Sequence, residues 1–281
     1  MQRPRLYLML AFHNNSDAPN PVVAEVITIL KRKGFQIEIG FAESLLLRPE
    51  ALSAKHDLYI LKSHTSLWLS LAGVLHFQGA ELLNPYLACL ATMNKIMTAS
   101  RLHSAGVPIP RSWVTGDLKL LVSLPAERRL IMKPYDGRRG NGILIVNEPR
   151  ELASVPPPQR PVLVQEYVAG GDELKVYVIG DEVFAMRQPF STTGRPRPRA
   201  ACPVSPTVRR IALRCGQVSG LSLYGLDMVE GRDGPVVVDL NYFPSYRGVP
   251  KAAGLIADYI ADYAKEHCPR PAATQFARKV A

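Results

Sequence analysis

Long apolar runs are missing from this 281-residue chain. Nothing approaches the roughly 20 consecutive apolar residues that a membrane-spanning helix requires. The first apolar stretch stops at Phe12 and meets His13-Asn14-Asn15. It is too short for a signal-peptide core and has no small-residue cleavage site, so it reads as a first buried strand. Cysteine is scarce: Cys89, Cys202, Cys215 and Cys268 show no C-x-x-C spacing. That excludes a disulfide scaffold and favours reduced thiols in a cytoplasmic protein. The histidines do not cluster with the cysteines, which disfavours zinc. No G-x-G-x-x-G follows the first strand, so a dinucleotide site is not indicated. Asp and Glu are absent from residues 183–226, where Arg187, Arg195, Arg197, Arg199, Arg209, Arg210 and Arg214 stand. Both tryptophans lie elsewhere and no zinc-finger or RNA-recognition signature accompanies the arginines. An anionic small molecule therefore suits this segment at least as well as nucleic acid.

What is present has the balance of a globular protein. Apolar residues make up 47% and charged residues 21%, with a net charge of +10 that favours an anionic partner. Strand patterns at 5–11, 36–42 and 57–63 alternate with helical periodicity at 22–34 and 66–79, and 80–86 reads as a returning strand. This order implies parallel strands covered by helices. Residues 89–106 read as one helix closed by Gly106. Beyond it the chain turns to strands joined by Gly, Asp and Asn. Gly180-Asp181 and Gly231-Arg232-Asp233-Gly234 mark antiparallel hairpins. Apolar helical faces recur at 207–218 and 251–267, and the basic, Pro-rich tail is expected to fray. The fold class expected is α/β, becoming α+β in the C-terminal part.

Three elements carry chemistry. If the GRDG turn closes a hairpin, Asp227 lies almost opposite Asp239, and strict alternation puts Val237, Asp239 and Asn241 on one face. Two carboxylates and an amide oxygen suit Mg²⁺ or Mn²⁺ completed by phosphate oxygens; the alternative is that both acids cap strand ends in solvent. In RRLIMKPYDGRRGNGILIV (128–146), Lys133 ends a strand before a loop containing Gly137, Gly140 and Gly142. Such a loop can lay backbone N–H groups on phosphate, or be an ordinary hairpin turn. In VLVQEYVAGGDELKVYV, a strand runs through Gln165-Glu166-Tyr167-Val168 to a Gly170-Gly171 joint, and Glu173 and Lys175 share a strand face. The acid beside the joint could hold a ribose hydroxyl pair and the chain at 166–168 present backbone groups to an adenine, or Glu173 and Lys175 could form a solvated cross-strand pair.

In order and spacing these elements resemble the ATP-grasp superfamily, in particular RimK-type carboxylate–amine ligases and ATP-grasp inositol polyphosphate kinases. The resemblance covers roughly residues 90–265. It implies an ATP-grasp fold: a pre-ATP-grasp parallel-sheet domain at 1–90, two antiparallel lobes at 91–168 and 169–267 that clasp ATP, and a flexible tail at 268–281. By resemblance Lys95 and Lys133 contact phosphate, with Gly140 and Gly142 in the loop that follows Lys133. Glu166, Tyr167 and Val168 form the adenine hinge, and Glu173 holds the ribose. Asp227, Asp239 and Asn241 hold the metal. Arg187 and Lys175 are the catalytic candidates, and Arg187, Arg195, Arg197, Arg199 and Tyr246 the substrate candidates. Arg187 is expected to point into the cleft.

The loop DGRRGNGI resembles the ligases, whereas LKVYVIGD and NYFPSYRGVP resemble the inositol kinases. Ser245 stands where the ligases carry a glycine. The function expected is an ATP- and Mg²⁺-dependent ligase that acts through an acyl phosphate on an anionic acceptor such as an amino acid or peptide. A kinase of inositol phosphate or a related polyanion is the alternative, and a basic nucleic-acid-binding protein that retains the fold is the third. No membrane partner is expected, nucleic acid is disfavoured, and homo-oligomer formation is left open.

Overall fold

The computed structural model describes residues 3–11, 19–125, 129–135, 143–169, 171–188 and 199–268. Four strands, β1 (Arg5–Leu10), β2 (Gln36–Phe41), β3 (Leu58–Leu61) and β4 (Leu82–Leu83), form a parallel sheet in the order β2-β1-β3-β4. Helices α1 (Pro21–Arg32) and α2 (Ser66–Phe77) supply the crossovers. Each begins where its sequence allows: the Asn20 side chain accepts from the Val23 amide and Thr65 from the Trp68 amide.

The helix expected at 89–106 is two helices, α3 (Tyr86–Met93) and α4 (Lys95–Ser104), broken at Asn94. Asn94 is extended, with φ −104° and ψ 106°, and its side chain accepts from the amides of Ile96 and Met97. An asparagine offering this bond competes with helix continuation. The strand expected at 80–86 shrinks to β4, because the chain turns at Pro85 into α3.

Strands β5 (Ser112–Thr115), β6 (Leu130–Pro134), β7 (Leu144–Val146) and β8 (Val162–Glu166) form an antiparallel sheet in the order β5-β8-β6-β7. A second antiparallel sheet contains β9 (Glu173–Ile179), β10 (Glu182–Gln188), β11 (Ala200–Cys202), β12 (Leu223–Gly231) and β13 (Gly234–Tyr242), in the order β11-β10-β9-β12-β13. Helices α5 (Pro206–Ser219) and α6 (Ala252–His267) complete the chain. The α/β architecture with two antiparallel sheets matches the fold class expected.

Packing divides the molecule unequally. One continuous apolar cluster joins the parallel sheet to the five-stranded sheet, while the four-stranded sheet has a small cluster of its own around Leu130, Val162 and Val164. Asn84, fully buried, ties the N-terminal part to β12. Its Nδ2 donates to the Leu223 carbonyl at 2.8 Å, and its Oδ1 accepts from the Ser222 and Leu223 amides at 2.8 and 2.9 Å. A buried amide satisfied this fully locks two segments in one register.

Candidate active site

The β12–β13 hairpin puts Asp227 directly opposite Asp239. On the other side of β12, Asp227 is in register with Lys175 of β9 and forms an ion pair with it. Strict alternation fails at one point. The register shifts between Asp227 and Met228, so Val237 pairs with Met228 and Val238 is an extra, bulged residue. Val237 therefore turns into the core beside Met228 and Leu240 and does not share the face of Asp239. The bulge also turns the Val238 carbonyl to the Lys133 Nζ, 3.4 Å away.

Three lysines meet this acidic face. Lys95 Nζ lies 2.6 Å from Asp239 Oδ1. The break at Asn94 places Lys95 in the first turn of α4, where a cation opposes the helix dipole and an anionic partner offsets that cost. The Lys95 amide donates to the Tyr135 carbonyl at 3.0 Å, which ties α4 to the end of the strand that carries Lys133. Burial pulls the Lys133 ammonium below its usual range, Asp239 opposing. Burial pushes the Asp227 carboxyl up, against the attraction of Lys175. Asn241 Nδ2 lies 3.3 Å from Asp239 Oδ2. A small, partly open pocket lies beside this group, bordered by Thr92, Lys95, Gln165, Val238 and Asp239.

Two carboxylates and an amide fit a hard divalent cation that takes its remaining oxygens from phosphate. Among the described residues there is no group of three or more His, Cys, Asp or Glu that could hold a metal. Asp227, Asp239 and Asn241 are the residues that would hold it.

The linker between the two antiparallel sheets runs from β8 through Glu166, Tyr167 and Val168. The Glu166 and Tyr167 amides donate to the carbonyls of Arg111 and Arg129, both at 2.9 Å. The Val168 amide takes no hydrogen bond among the described residues. Glu173 is exposed at the start of β9, on the face of Lys175. Gly140, Gly142, Arg195 and Arg197 lie outside the described residues.

Two substrate candidates are corrected. Tyr246 is buried, its hydroxyl donating to the Val178 carbonyl at 2.8 Å and its ring 5.5 Å from that of Tyr177. It holds down the segment after Asn241, where Phe243 and Tyr246 adopt left-handed φ of 35° and 51°. Arg187 does not point with Lys175. It pairs in register with Leu174, whose neighbour on β12 is Met228, so it shares their face, opposite to Asp227. There it binds Asp172 and Glu230.

The cationic segment is likewise not one patch. Arg209, Arg210 and Arg214 ride on α5, which packs against the Tyr224 side of the sheet through a bond from the Tyr224 hydroxyl to the Ala212 carbonyl. Arg199 alone of the described arginines in this segment faces the acidic group. Its Nε lies 2.7 Å from Gln188 Oε1, and it acts to lower the Asp227 carboxyl. Sequence reasoning missed the carboxylates of Asp172 and Glu230; their separation from Arg187 along the chain left no local signal. It also missed Asn94, although an asparagine before an apolar helical run is a start signal.

Comparison with known proteins identifies the family. Residues 92–263 match the RimK-like ATP-grasp domain. A protein of Cellvibrio japonicus named probable alpha-L-glutamate ligase is 27% identical over 208 residues, covering 66% of this chain and 69% of that protein. A like-named protein of Hahella chejuensis is 28% identical over 211 residues, covering 66% and 69%. Among solved structures, a RimK domain ATP-grasp protein from Sphaerobacter thermophilus superposes with a TM-score of 0.74 at 19% identity, covering 91% of this chain and 98% of that one. The ATP-grasp ligase PsnB, solved with a minimal precursor, Mg and ADP, gives 0.66 at 20% identity, covering 94% and 99%. The family model spans more than half of the chain, and the chain belongs to the RimK-like ATP-grasp family of ligases.

Proposed function

We propose that this protein uses ATP and Mg²⁺ to join a carboxylate to an amine through an acyl phosphate. The observation that carries the proposal is the Asp227–Asp239–Asn241 face with Lys95, Lys133 and Lys175 drawn onto it. In this reading Asp227, Asp239 and Asn241 hold Mg²⁺, which neutralises phosphate charge when bound. Lys95 and Lys133 exchange their present oxygens for those of the triphosphate. Lys175, released from Asp227, faces the transferring group. Val168 offers its amide to the adenine, and Glu173 the ribose hydroxyls a carboxylate.

The acceptor carboxylate attacks the γ-phosphorus and ADP leaves. The amine then attacks the acyl carbon and inorganic phosphate departs, giving the amide. Positioning and charge neutralisation supply the catalysis, and no side chain needs to act as a covalent nucleophile. The cysteines suit that account: burial pushes the Cys215 thiol up to about 12 and raises Cys89 as well, so both stay protonated.

Arg199 is the best-placed described residue for an anionic acceptor. The names of the relatives make L-glutamate the first substrate to test. The kinase reading finds no support in the proteins compared above, which carry ligase or RimK names. The test is ADP and inorganic phosphate release with ATP, Mg²⁺ and L-glutamate, alone and with added amino acids and peptides. Turnover with amide formation supports the proposal. ADP release with the phosphate retained on the acceptor defeats it.

A further inference from the structure

We propose that Arg187 is a positioning residue for the nucleotide, which clamps the linker between the two antiparallel sheets onto the five-stranded sheet. The proposal rests on the nucleotide reading above and deepens it.

Arg187 reaches from β10 to two other segments. Its Nη1 lies 2.5 Å from Glu230 Oε2, at the end of β12, and 3.1 Å from Asp172 Oδ2, just before β9. Its Nη2 lies 3.1 Å from Glu230 Oε1. The fork is thus bidentate on one carboxylate and shared with a second, an arrangement that fixes direction as well as charge. Beneath it the backbones touch. The Glu230 amide donates to the Asp172 carbonyl at 3.2 Å, and a Cβ on Gly171 would collide with the Glu230 carbonyl. The linker therefore lies directly on the end of β12, and only a glycine permits that approach.

At its other end the linker is pinned to the four-stranded sheet. Besides the two amide bonds of Glu166 and Tyr167, the Arg129 guanidinium sits over the Tyr167 ring, 4.5 Å from its centroid. Between the anchored ends lies Val168, with Glu173 directly after the Asp172 anchor. These are the residues proposed to meet adenine and ribose. A clamp at Asp172 and Glu230 sets where both stand relative to Asp227 and Asp239. Arg187 is 40% exposed, and ion pairs this open add little to global stability. Its removal is therefore expected to act on position, not on folding.

The test is calorimetric binding of ADP with Mg²⁺ to the full chain, with hydrogen exchange on the nucleotide-free protein. Arg187→Met is expected to keep the wild-type melting temperature within a few degrees and to weaken ADP binding about tenfold. Arg187→Lys, which keeps the charge without the fork, should fall between. Glu230→Gln should weaken binding in the same direction, and its combination with Arg187→Met should be no worse than Arg187→Met alone. Exchange at the Val168, Asp172 and Glu173 amides should quicken in Arg187→Met while the centres of β9 and β12 keep their protection.

Wild-type affinity in both Arg187 variants overturns the proposal, as does unchanged exchange across 168–173. Failure of the wild-type protein to bind ADP with Mg²⁺ would defeat the nucleotide reading instead, and the exchange experiment would still decide whether the clamp exists.

Discussion

In the five-stranded sheet, β12 has a neighbour on each side, and its buried face is part of the large cluster shared with the parallel sheet. In the four-stranded sheet, the buried cluster reduces to a few leucines and valines, and β7 leaves Leu144 and Ile145 exposed at the edge. The two sheets meet at one site but bring different things to it. The five-stranded sheet carries the oxygens proposed to hold metal, with Asp227 held between Lys175 and Asp239 by cross-strand register. The four-stranded sheet carries Lys133 and the linker. Precise chemistry needs residues on rigid, well-packed elements, whereas capture and release of a ligand draw on the less stable parts of a fold. The inequality of the two cores suits that division.

The comparison can be broken most severely at Asp239. Asp239→Asn is expected to lower ADP formation by at least about a hundredfold while the melting temperature stays near wild type. Unchanged turnover would remove the five-stranded sheet from the chemistry.

Truncating one buried leucine in each core sharpens the contrast. Leu226→Ala and Leu130→Ala should each cost about 2–5 kcal/mol at the site. In Leu226→Ala the cost should appear as a lower global melting temperature. In Leu130→Ala it should appear as faster hydrogen exchange in β6 and β8 and weaker ADP binding, with β12 still protected. Equal global destabilisation by both would mean that the two sheets unfold as one unit.

Lys133→Met tests the lighter sheet directly. Loss of one charge-assisted contact to phosphate should cost about 1.5–3 kcal/mol of ADP binding, read by calorimetry, without loss of fold.

The smallest effect is a pH dependence. Burial holds the Lys133 ammonium below its ordinary range, so its charged form is disfavoured in the folded state. That penalty is present below the folded pKa and fades as pH rises toward the unfolded value near 10.5. The melting temperature of the ligand-free wild type, taken relative to Lys133→Met, should therefore rise with pH across that window. A flat or falling difference would show that Lys133 is not strained by burial.

Much of the five-stranded sheet was legible in the sequence, because its hairpins close on short Gly-Asp turns that fix register locally. That the GRDG turn brings Asp227 almost opposite Asp239 follows from the sequence, although pairing Gly231 with Gly234 would by strict count set Asp227 against Val238. The bulge at Val238 did not, since alternation assumes a strict period of two and an extra residue leaves no mark in composition. Arg187 failed for a related reason. A place at a strand end suggests a face toward the cleft, whereas cross-strand pairing with Leu174 sets the face, and its partners are 15 and 43 residues away. The burial of Tyr246 is not legible because the left-handed turns at Phe243 and Tyr246 that fold it inward occur without a glycine at either position. The run of arginines looked like one charge because a sequence cannot show that α5 carries three of them to the other side of the sheet.

The most direct test of ligase chemistry at this face is to follow phosphate and product mass together. With ATP, Mg²⁺, L-glutamate and an accepting carboxylate or amine, one inorganic phosphate should appear for each ADP, and the product should be lighter than its two substrates by one water. ADP without free phosphate, and an acceptor heavier by a phosphoryl group, would contradict it.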